Sequence, residues 1–105
     1  MNESEFNEAV DATLLAIEDA LDAQDADIDV ETSAGILTLT FGNGSKVIVN
    51  RQAATGEIWV AARSGGFHCG RDGNGWRCNT TGETLPDLLS RVCGEQAGAT
   101  VSLAF

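Results

Sequence analysis

No lysine, arginine or histidine precedes Lys46. Eleven carboxylates do: Glu3, Glu5, Glu8, Asp11, Glu18, Asp19, Asp22, Asp25, Asp27, Asp29 and Glu31. From Lys46 onward six basic residues face five acidic ones, so the net charge of −10 belongs to the N-terminal third. Such a field repels nucleic acid and anionic membrane, and it attracts cations and basic protein surfaces. No nucleic-acid or membrane partner is expected. No apolar run is long enough to cross a bilayer. No basic segment followed by an apolar stretch opens the chain, so a signal peptide is not expected. The three cysteines, Cys69, Cys78 and Cys93, are odd in number and show no CxxC spacing. That argues against a disulfide framework and a zinc site, and for a reduced, cytoplasmic setting. The one histidine, His68, excludes HExxH, and there is no Walker loop. Gly70, Gly73 and Gly75 lie between two strand-like segments, so they read as a turn and not as a nucleotide loop. Cys69 beside His68 is a poor nucleophile–base pair, because strand neighbours point to opposite faces. A conventional enzyme is not expected.

What is present suits one domain spanning residues 1–105, with 43% hydrophobic and 21% charged residues. Residues 3–24 have a helical period. Phe6, Val10, Leu14, Ile17 and Leu21 make an apolar stripe. At about 100° per residue, Glu8, Asp11, Glu18, Asp19 and Asp22 collect on another flank. Ser4 is the expected N-cap.

The period then changes to two. Ile28 and Val30 alternate with acids, as in an edge strand. Leu37, Leu39 and Phe41 share one face of "ILTLTF", and Asn43-Gly44 signals a hairpin. Val47 and Val49 point inward, as do Ile58, Val60 and Ala62 of the next strand. "GFHC" and "GWRC" read as a further hairpin, with Phe67 and Cys69 facing as Trp76 and Cys78 do. Residues 82–94 return to helical spacing. Thr84 and Asp87 make a capping-box-like start, Pro86 sits in the first turn, and Leu85, Leu88, Leu89 and Val92 form the apolar side. Each strand has one apolar face for the helices to cover. The expected fold is α+β, a two-layer α-β sandwich of two helices on one antiparallel sheet.

The stretch from Ile17 to Glu31 carries seven carboxylates and no base. Asp25, Asp27 and Asp29 match the first, third and fifth positions of a calcium loop. Val30 stands where that loop needs glycine, and Ile36 where it needs glutamate, so the motif fails. What remains is a row of oxygen donors suited to loose binding of hard cations, or a solvated face that aids solubility. The alternation that turns Ile58 and Val60 inward turns Trp59 outward, with Glu57, Arg63 and Asn50; Gln52 follows just beyond. An aromatic on a polar sheet face is a candidate binding anchor. His68 reads as a solvated surface residue, and the cysteines as small apolar core residues.

These segments together resemble the frataxin family, its bacterial CyaY branch in particular. The resemblance is carried by "SEFN", the acidic helix and strand, "LTLTFGNGSKVIVNRQ", "IWVAARSGGFH" and "GETLPDLL", and it covers nearly the whole chain. It implies a frataxin-like sandwich. It implies weak binding of Fe2+ and Fe3+, with other divalent cations, at a ridge of Glu18, Asp19, Asp22, Asp25, Asp27, Asp29 and Glu31. It implies work in iron–sulfur cluster assembly, as a regulator or iron donor acting with the cysteine desulfurase and its scaffold protein. Asn50, Gln52 and Trp59 correspond to the family's sheet-surface positions. The expected state is a monomer that can oligomerise with iron. Two other readings stand beside this one. A ferroxidase or iron-storage protein would be the enzymatic alternative, although no Glu-x-x-His pair of the bundle type occurs. A metal-independent acidic adaptor for a basic partner is the other.

Overall fold

The computed structural model describes residues 1–24 and 27–105. The chain runs α1 (Glu3–Asp22), β1 (Ile28–Ser33), β2 (Ile36–Phe41), β3 (Lys46–Gln52), β4 (Glu57–Ala62), β5 (Gly65–Asp72), β6 (Gly75–Cys78) and α2 (Leu85–Ala97). The six strands form one antiparallel sheet in sequence order. Both helices cover the same face, which is the expected two-layer sandwich. The core between the layers joins Val10, Leu14 and Ile17 of α1, Leu85, Leu88, Leu89 and Val92 of α2, and the inward residues of β2 to β6.

Capping differs from the expectation. Asn2, not Ser4, is the N-cap of α1. The Glu5 N–H donates to Asn2 Oδ1 at 2.8 Å, and the Asn2 N–H returns a bond to Glu5 Oε1 at 3.2 Å. Asn2 wins because only it has glutamate three residues on, which closes a reciprocal capping box. The second helix also departs from its expected end. Gly94 does not stop it; the chain continues to Gly98, whose φ of 67° makes the left-handed cap. Gly94 serves close approach instead. A Cβ there would lie 3.2 Å from the Ala99 carbonyl oxygen, where the tail folds back over the helix.

That extra turn carries Gln96, the one polar residue in the described core. Its amide donates to Ser45 Oγ at 3.0 Å and to the Lys46 carbonyl at 3.1 Å, and it accepts from the Arg63 N–H at 2.8 Å. It therefore ties α2 to the β2–β3 hairpin and to the end of β4. The strand stops at Ala62, and Arg63 leaves the sheet toward α2. The other tie is Arg51, inward on β3. Its guanidinium donates to Asn7 Oδ1 at 3.0 Å and to Asp11 Oδ1 at 2.6 Å. The middle residue of "NRQ" thus clamps α1 to the sheet, and Asp11 is the α1 acid with a basic partner. All three cysteines are free and buried, in keeping with their expected place in the core.

Candidate functional site

The acidic row lies along the β1 edge. Ile17 and Leu21 are buried, which fixes the rotation of α1 and leaves Asp19 and Asp22 exposed. Glu18 is half-buried, and its Oε1 accepts from the Thr32 hydroxyl of β1. On β1, Ile28 and Val30 turn toward the helices. Asp29 and Glu31 therefore stand on the opposite, outward face, paired in register with Thr40 and Thr38. Asp27 is exposed just before the strand. Its carboxylate lies over Gly42, where a Cβ would come within 3.1 Å of Oδ2. Asp25, the seventh residue of the row, is outside the described residues. The row therefore wraps the sheet edge, with helix carboxylates on one side and strand carboxylates on the other.

Two facts define its chemistry. The ion pairs of the described residues are Arg51–Asp11, Arg77–Asp72, Arg91–Glu83 and Arg91–Glu95, with His68 4.0 Å from Glu57. None of them neutralises a carboxylate of the row. Nor do any three His, Cys, Asp or Glu side chains among the described residues converge to enclose a metal ion. A row of this kind can hold hydrated cations by one or two oxygens each, and it offers no dry cage.

The outward sheet face carries the second cluster. Trp59 is 36% exposed and stacks flat on His68, with ring centroids 4.2 Å apart and planes 6° off parallel. Its indole N–H donates to Glu57 Oε1 at 3.1 Å, and the Asn79 amide donates to Glu57 Oε2 at 2.7 Å. The indole's bond first, then one from the Thr55 side chain and that of Asn79, hold the Glu57 carboxyl below the usual carboxylate range against the opposing effect of burial. Asn50 lies opposite Trp59 across the β3–β4 ladder, and Gln52 lies opposite Glu57. Asn50 accepts its neighbour's backbone N–H through Oδ1, at 2.8 Å from Arg51 N. The three expected sheet-surface residues thus share one face. His68 is exposed on the outward face, as expected from the sequence. It is also a stacking partner, and with Glu57 and Asn79 it fixes the tryptophan's orientation. The missing signal was register: Trp59 meets His68 only when β4 and β5 pair as they do.

A model of the frataxin-like domain matches residues 1–99. Among solved structures, the chain is similar to frataxin from Psychromonas ingrahamii, of the CyaY protein family. The identity is 30% and the TM-score 0.92, with all of both chains covered. It is also similar to trimeric frataxin from the yeast Saccharomyces cerevisiae, at 28% identity and a TM-score of 0.66, over 89% of this chain and 78% of that one. A trimeric yeast frataxin complexed with ferrous iron matches at 25% identity and a TM-score of 0.68, over 93% and 88% of the two chains.

Proposed function

The chain belongs to the frataxin-like family, and from that premise we propose that it binds iron weakly along its acidic edge and acts in iron–sulfur cluster assembly. Its partners in this reading are the cysteine desulfurase and the scaffold protein, and its role is that of regulator or iron donor in a reducing, cytoplasmic setting. The observation that carries the reading is the unpaired carboxylate edge of Glu18, Asp19, Asp22, Asp27, Asp29 and Glu31, with Asp25 between them in sequence. Opposed charges would have been cheap to place there, and the described ion pairs all lie elsewhere. The ferrous complex of a yeast relative supports iron as the cation. The oxygen-only, exposed donor set supports hydrated Fe2+ or another hard divalent ion, held loosely. Asn50, Gln52 and Trp59 are the proposed docking residues, since they offer an aromatic anchor beside amides on an open sheet face.

Fe2+ titration of the parent and of the variant with Asp19, Asp22 and Asp25 all changed to Asn tests the ridge. The variant should lose most of the binding; equal binding would remove the edge from the site. A cluster-assembly reaction with purified desulfurase and scaffold tests the role. Oxygen uptake in step with Fe2+ addition would favour a ferroxidase. Partner binding that is unchanged by a chelator would favour the metal-independent adaptor.

A further inference from the structure

Cys69 of β5 and Cys78 of β6 stand directly opposite each other, both buried on the core side of the sheet. The surrounding ladder sets the kind of pair they make. The Asn79 N–H donates to the His68 carbonyl at 2.9 Å, whereas the Cys78 N–H turns away from β5 to the Glu83 carbonyl at 2.8 Å. The backbone bonds therefore run between flanking residues, and Cys69–Cys78 is a non-hydrogen-bonded pair. In such pairs the Cα atoms approach to about 4.5 Å and the side chains come closest. That separation lies inside the range of about 4.4–6.8 Å that a disulfide requires.

We propose that Cys69 and Cys78 form a dithiol site that a peroxide closes to a cross-strand disulfide and an external dithiol, itself oxidised to a disulfide, reopens. Cys78 is the attacking sulfur. Burial pushes its thiol up, but hydrogen bonds from the side chains and backbone of Thr80 and Thr81 outweigh that and bring it to about 7. Thr80 Oγ1 lies 3.4 Å from its Sγ. Burial first, and then the neighbouring Cys78, hold the Cys69 thiol up at about 12. The Cys78 thiolate attacks one peroxide oxygen and breaks the O–O bond. The departing hydroxide takes up the proton that Cys78 released and becomes water. Cys78 is left as the sulfenic acid. The Cys69 sulfur then attacks the Cys78 sulfur, the S–S bond forms, and the second hydroxide leaves with the Cys69 proton as water. Two thiols lose two electrons and two protons, and one peroxide becomes two waters. Cys93 has no part in this. It lies on α2, and burial alone raises its thiol to about 12.

The site sits beneath the outward cluster. His68 and Asn79, each adjacent to one of the cysteines, stack on Trp59 and bond to Glu57. The disulfide would link β5, which carries His68, to the end of β6, which Asn79 directly follows. The test treats the native full chain with hydrogen peroxide at low protein concentration, blocks the remaining thiols by alkylation, and maps peptides by mass spectrometry without reduction. Free thiols should fall from three to one, with loss of two hydrogens and one linked peptide pair joining Cys69 to Cys78. Dithiothreitol should restore all three. In Cys69→Ala no intramolecular link should form, and dimedone should trap Cys78 as its sulfenic acid. Parent protein that keeps three free thiols, links Cys93, or forms only intermolecular dimers would overturn the proposal, whatever the variant does.

Discussion

A carboxylate that accepts from an indole N–H and an amide N–H together is more stable charged than neutral. Glu57 is held in that way by Trp59 and Asn79, and Glu83 by the guanidinium of Arg91. Both carboxyls lie below the ordinary value of 4.5. A lowered acid stabilises the fold fully above its unfolded pKa, and that stabilisation is lost as pH falls through the folded value. Glu83→Gln should thus cost about 1 kcal/mol or less at neutral pH, since the pair is partly solvated. The difference should shrink as pH falls below the ordinary carboxyl range and vanish only once the lowered folded-state carboxyl is itself protonated. Thermal melts of parent and variant across pH check this; a gap that persists in acid would assign it to packing. The two tryptophans separate along the same lines. Trp76 is buried, its N–H donating to Thr13 Oγ1 at 3.0 Å, so Trp76→Ala should cost about 3–5 kcal/mol. Trp59→Ala should lose about 1 kcal/mol, mostly the stack on His68, while weakening partner binding by far more. A Trp59 variant as unstable as the Trp76 variant would place Trp59 in the core. Alternation alone told these two residues apart, because facing inward or outward is a local property of a strand. The stack on His68 is a property of two strands, and no single segment contains it.

Elements were readable wherever their period was clean, and less so at their ends. The strands from β2 to β4 follow from the alternation of Leu37, Leu39, Val47, Val49, Ile58 and Val60, all of them fully buried. The Asn43-Gly44 hairpin formed as expected, with the Gly44 N–H closing on the Phe41 carbonyl at 2.9 Å. The end of α2 was not readable, because Gly94 and Gly98 are equally good stop signals in sequence. The choice between them is made by Gln96, whose amide finds partners only once the hairpin and the end of β4 are in place. Gln96→Ala should destabilise by about 1–3 kcal/mol, the range for leaving buried polar partners unsatisfied. Denaturant melts measure it. Alanine is the better helix former, so propensity alone predicts no loss, and an unchanged or raised stability would deny Gln96 its bridging role. The β1–β2 turn makes the opposite prediction. Ala34 has a φ of 54°, next to Gly35 at 75°, a left-handed conformation that costs a residue with a Cβ about 1–2 kcal/mol. Ala34→Gly should relieve part of that, offset by the greater freedom of glycine in the unfolded chain. The melting temperature should rise; a fall would mean that the unfolded-state term dominates.

At the scale of the whole molecule, the acidic edge is a source of repulsion that folding must overcome. Composition alone was enough to locate it in the N-terminal third. Its form was not visible in the sequence. Asp29 and Glu31 are separated from Glu18, Asp19 and Asp22 by the sheet edge itself, which depends on the β1–β2 register and on the seating of α1. Glu18 and Asp22 stand four residues apart on the helix, and such like-charged pairs destabilise by about 0.2–0.5 kcal/mol. Asp22→Asn should therefore raise the melting temperature at low salt. The gain should shrink as NaCl rises, because exposed charges are screened over about 10 Å at 0.1 M. Divalent cations should do more than NaCl at the same ionic strength. A monovalent salt only screens, whereas an ion that bridges oxygens held together by the fold binds the native state preferentially and stabilises it by mass action. Since no described trio of ligands encloses a metal, this stabilisation should need divalent ion in large excess over protein and should reverse on chelation. Melts in NaCl, MnCl2 and anaerobic Fe2+ at matched ionic strength, for the parent and for the Asp19, Asp22, Asp25 triple Asn variant, decide the matter. The parent should gain with the divalent ions and the variant should not. Equal gains in both proteins would place the cations elsewhere, and no divalent advantage in either would leave the edge as a solvated acidic surface.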